Sequence, residues 1–150
     1  MRGVAVRVLA GQQTADVHIG VAAGAWQIAA ESQARGGDVV GGKEGVVFLP
    51  AEVTDGNITI TVAHDMIDAQ GEGPQVQVIA VDLDGREHPS EPTGNGRAGK
   101  LSQLTVTFSK LALQDVKTFR LQIRPYQWAD FRNVALQPGQ MSESRRRARP

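Results

Sequence analysis

The chain has 150 residues, enough for one domain with a hydrophobic core of its own, and its 16 Lys and Arg balance 16 Asp and Glu. That balance leaves no net field to gather nucleic acid, an anionic membrane or an acidic substrate. With no cysteine, disulfide scaffolds, thiolate nucleophiles and Cys-bearing zinc sites are excluded.

The N-terminal stretch lacks the unbroken apolar core of a signal peptide, because Arg7 and then the polar residues 11–14 interrupt it. The longest apolar runs, such as residues 20–26, are far too short to span a bilayer, so a soluble chain is expected. The dominant pattern is alternation of apolar and polar residues in short runs rich in Val, Ile, Thr and Phe, which is the period of a half-buried strand. Val4, Val6 and Val8 share one face of a first strand. Val17, Ile19 and Val21 share a face of a second, with Asp16 and His18 on the other. Further strands are expected at residues 26–30, 46–49 and 57–62, around Val76 and Val78, then at residues 104–108, 119–123 and 132–136. Residues 112–118 allow one or two helical turns at most. Asp55-Gly56-Asn57 and Asp84-Gly85 read as tight turns, and the Gly, Pro and polar clusters at residues 36–42, 70–74 and 88–100 as loops. The last segment, 140–150, contains Arg145, Arg146, Arg147 and Arg149 and no apolar period; it is expected to be a disordered, solvated tail with non-specific contacts only.

These segments predict an all-β fold, an antiparallel, jelly-roll-like β-sandwich of about nine strands over residues 1–139. Five of them also carry a resemblance: GVAAGAW at 20–26, GVVF at 45–48, ITVAHDMID at 60–68, VIAVDLDGREHP at 78–89 and FRLQIRPYQWADFRNVALQPG at 119–139. Together they resemble a bacterial C-terminal module of unknown function that ends large membrane-associated proteins. There it lies beside antirepressor-type (beta-lactam-sensor-like) zinc metallopeptidase domains or extracytoplasmic sigma-factor-type regions. The resemblance spans residues 3–139 and is most specific at RPYQWADFRNVAL, 124–136. It implies an accessory, extracytoplasmic role. It does not imply catalysis, since the HExxH helix of the peptidase is missing.

Few residues suggest chemistry. His64 and Asp65, with Asp68 nearby, could form a base and its orienter, but no nucleophile elbow accompanies them, so a hydrogen-bonding role at a strand end is expected. Asp82-Leu83-Asp84-Gly85 starts like a calcium loop. It then lacks the later oxygen ligands, Arg86 and Thr93 standing where they would be needed, and a plain Asp-Gly turn explains it. No metal and no cofactor are expected. Among the few aromatics, Phe48, Phe108 and Phe119 fall on apolar strand faces and read as core. Tyr126 and Trp128 follow Pro125 at positions i and i+2. Two such rings can stack on a sugar, with Arg124 and Asp130 as polar fixing groups, or they can plug the end of the sandwich. The function expected is a non-enzymatic accessory module for interaction or ligand binding. Alternatives are a carbohydrate-binding module using Tyr126 and Trp128, or a hydrolase fragment. The partner is a neighbouring membrane-associated domain or a glycan, without specific nucleic acid.

Overall fold

A computed structural model describes residues 13–33, 35–37, 39–40, 45–66, 73–136 and 146–148. The chain divides into two compact units, one of residues 22–126 and one that joins residues 1–21 to 127–150. The two larger sheets belong to the first unit.

In that unit, ten of the described strands form two antiparallel sheets. The first sheet holds β2 (Gln27–Gln33), β11 (Val116–Arg124), β7 (Gln75–Asp82) and β8 (Glu87–Pro89), in that order. The second runs β3 (Val39–Val40), β4 (Val46–Phe48), β6 (Asn57–His64), β10 (Leu101–Phe108) and β9 (Glu91–Ala98), with β5 (Glu52–Thr54) also paired to β6. The chain passes between the sheets after β2, β6, β8 and β10, the cross-layer connectivity of a jelly-roll-like sandwich.

Alternation decides what fills the space between the layers. Along β6, Ile58, Ile60, Val62 and His64 are buried while the residues between them are half-exposed. Phe48, Val106 and Phe108 join them from the same sheet; Ala30, Val78, Ala80, Val116, Phe119 and Leu121 face them from the other. Phe108 and Phe119 meet in a tilted pair with ring centroids 5.7 Å apart. The three phenylalanines expected in the core are there.

The turns follow their chemistry. Asp55 and Gly56 both have positive φ, the combination a tight hairpin between β5 and β6 requires. Gly85 closes the β7–β8 turn in the left-handed region, donating its N–H to the Asp82 carbonyl. A single 3-10 turn, Leu113–Asp115, precedes β11.

Residues 88–100, expected as a loop, instead carry the end of β8 and all of β9. The chain changes sheets at Ser90, whose hydroxyl donates to the Val78 carbonyl at 2.6 Å. β9, with the sequence EPTGNGRA, is exposed along its whole length and is paired by its backbone to β10. At a sheet edge two glycines and a proline are tolerated because no packed neighbour demands side chains there. Nothing in the side-chain pattern marks such a strand.

The second unit contains β1 (Thr14–Ala22, its last residue counted with the sandwich), β12 (Tyr126–Ala135, beginning with the sandwich's last residue) and β13 (Arg146–Ala148), in the order β1-β12-β13. On β1, Ile19 and Val21 remain exposed, unlike the half-buried apolar face expected for them; β1 supplies no residue to the core cluster. β13 falls in the stretch expected to be a structureless tail and pairs antiparallel with β12 at Ala129–Phe131. The strand expected at Val4–Val8 and the loop residues 70–72 lie outside the described residues.

Thr118 on β11 is buried, and its Oγ1 has no hydrogen-bond partner among the described residues. Thr118→Val replaces that hydroxyl with a methyl group of similar shape and is expected to stabilise the protein by about 1 kcal/mol. A higher urea midpoint at unchanged slope is the readout; a lower midpoint would mean that the hydroxyl is paired.

Candidate functional site

Strand β11 lies between β2 and β7, so both of its backbone edges are occupied. Phe119 and Leu121 point into the core, which leaves Arg120, Gln122 and Arg124 on the opposite face of the sheet. Each is clasped from a neighbouring strand. Arg120 donates through Nε to Glu31 at 2.5 Å and places Nη1 3.5 Å from Glu87, spanning from β2 to β8. Gln122 accepts from Gln77 Nε2 at 2.7 Å. Arg124 donates through both Nε and Nη2 to Gln75 Oε1, at 3.1 and 2.7 Å.

Arg124 has a second restraint. Its guanidinium carbon sits 4.7 Å from the centre of the Trp26 ring, which stands just before β2. The amide on one side and the indole on the other hold a cation at a fixed place, an arrangement arginine adopts more readily than lysine because its charge is planar and weakly hydrated. Nη1 makes no hydrogen bond to any described residue. Pro125 then interrupts pairing, and Tyr126, 37 % exposed, opens β12. Trp26, Gln75, Arg124 and Tyr126 all belong to the sandwich unit.

The other two residues of the expected site belong to the second unit. Trp128 stacks on His18 with centroids 4.4 Å apart and planes 8° from parallel. It also lies over Gly20: a Cβ there would come within 2.6 Å of the indole, so only glycine admits the ring. The Asp130 carboxylate bonds His18 Nδ1. Asp16 accepts the N–H of Asn133, which has positive φ. Trp128 is still 39 % exposed.

Of the four residues expected as a site, Arg124 and Tyr126 belong to one unit and Trp128 and Asp130 to the other. Both aromatics lie within β12, a strand that starts at Tyr126, rather than ahead of a strand starting near Arg132. Sequence reasoning missed Trp26 and Gln75 as partners of Arg124. The scarcity of aromatics marks Trp26, but its approach to Arg124 depends on the β2–β11 register, which no local pattern reveals.

The remaining candidates make local contacts. His64 is 3 % exposed, and its Nδ1 accepts the Met66 N–H at 3.4 Å, the strand-end bonding expected of it. In the Asp-rich turn, Asp82 accepts from Arg86 N–H at 2.8 Å and bonds His88 Nε2 at 2.9 Å, while Asp84 lies 3.5 Å from Arg86. Among the described residues, no group of three or more His, Cys, Asp or Glu is placed to hold a metal ion. Searches against protein families, curated proteins and solved structures found no match.

Two tests follow from this geometry. Gly20→Ala should push the Trp128 ring off its seat, seen as a large shift of one of the two indole N–H resonances; an unchanged spectrum would contradict the close packing. The His88 ring, and after it the Arg86 amide, hold the Asp82 carboxyl below its ordinary value of 3.8. A carboxylate with a lowered pKa adds stability above its unfolded value and loses it as pH falls through the folded one. Asp82→Asn should therefore flatten the loss of stability below about pH 3.8 relative to the parent protein, measured by thermal unfolding across that range.

Proposed function

We propose that this chain is a non-enzymatic accessory module that binds a ligand through the surface around Arg124. The observation carrying this reading is the clasped guanidinium itself. A cation held from two sides by Gln75 and Trp26, with exposed Tyr126 two residues along the chain, is pre-organised to receive a group from outside. The histidines support a non-catalytic role: His64 is enclosed in the sandwich, His88 closes a turn, and His18 is engaged with Trp128 and Asp130. The resemblance of residues 3–139 to a C-terminal module of bacterial membrane-associated proteins favours an extracytoplasmic setting beside a membrane-associated neighbour.

Carbohydrate is the ligand class that the side chains favour. Tyr126 and Trp128 each leave more than a third of their surface exposed, which a purely core-plugging role does not require. Aromatic faces with a few polar fixing groups are the usual composition of a sugar site. A glycan array probed with the intact protein should give binding that falls roughly tenfold or more in Tyr126→Ala, about 1.4 kcal/mol. Trp128→Ala reports whether the second cluster takes part. Silence across the array would reject the carbohydrate reading.

A further inference from the structure

We propose that Arg124 reads a carboxylate, so that the ligand is an acidic glycan containing uronic acid. This inference rests on the carbohydrate reading. Gln75 occupies Nε and Nη2 of the guanidinium, and Trp26 takes one of its faces, while Nη1 makes no hydrogen bond to a described residue. The donors still on offer lie in the guanidinium plane, which suits the planar fork of a carboxylate. Because Gln75 is neutral, the clasp positions the charge without cancelling it. The other arginine of this face, Arg120, is already paired with Glu31 and Glu87.

The place of Arg124 in the sheet favours a sugar over a peptide. Peptides commonly bind sandwiches by adding a strand to an open sheet edge, where the main chain supplies most of the hydrogen bonds. Here β11 is an interior strand, paired on both sides through Arg124 on one and Ile123 on the other. Recognition at this point has to come from side chains. Arg124, the part-exposed Trp26 and the exposed Tyr126 offer a charged fork and aromatic surface, the complement of a pyranose ring bearing a carboxylate.

The test compares an oligomer of galacturonic acid with the same oligomer fully methyl-esterified, by calorimetric titration into the full-length protein. The acid form should bind at least tenfold more tightly, and added salt should narrow the difference. Because the change is made in the ligand, the comparison does not depend on any variant folding. Arg124→Lys keeps the charge but loses the planar fork, and should remove most of the preference; Gln75→Ala should reduce it partly by releasing the guanidinium. Equal affinity for acid and ester would overturn the carboxylate assignment while leaving the carbohydrate reading standing, as would array binding confined to neutral glycans. If no glycan binds in either assay, both fall.

Discussion

The interior position of β11 is the constraint on which the sandwich unit depends. A strand with neighbours on both sides has one face committed to the core, so Phe119 and Leu121 are enclosed opposite Phe48, Phe108 and the β6 residues. The opposite face then has to carry Arg120, Gln122 and Arg124 at every second position. Long polar side chains on an outer sheet face lose rotamer freedom only when something holds them. Here each is held by a residue one or two strands away, so the packing of the core and the ordering of the polar face have a common origin in one strand's register. The charged members contribute little to stability, as part-exposed ion pairs do. Their value lies in fixing positions.

How much of this was legible in the sequence depends on the range of the interactions. Alternation within six to nine residues located β6, β7, β10 and β11 and assigned Phe48, Phe108 and Phe119 to the core, because each of those facts is set by neighbours two positions away. The turns at Asp55-Gly56 and Asp84-Gly85 were equally local. β9 was not legible: it is a strand by virtue of its backbone bonds to β10, and its polar, glycine-containing sequence has no buried face to betray it. β1 misled in the opposite sense. Val17, Ile19 and Val21 alternate as a half-buried strand should, yet Ile19 and Val21 are exposed, and the Trp128 ring lies on His18 and Gly20 instead.

The candidate site shows the same division. Arg124, Tyr126, Trp128 and Asp130 stand close in sequence, and proximity along the chain suggested one site. Their long-range partners differ: Arg124 takes Gln75 and Trp26, and Asp130 takes His18, 112 positions away. Cross-strand register is a property of the whole sheet, and a single sequence does not display it. The candidate residues could be picked out; the partners that hold them could not.

The change of sheet at Ser90 has a consequence for how the protein behaves when crowded. Because the chain leaves one sheet and immediately borders the other, a single short segment forms the rim of both layers, with β8 and β9 at corresponding ends. Exposed rims are where β proteins join one another into aggregates. On β9 that rim carries Glu91, Pro92 and Arg97 and no large apolar side chain, a composition that discourages edge pairing. One stretch of polar sequence thus discourages self-association along the rim of the wider sheet.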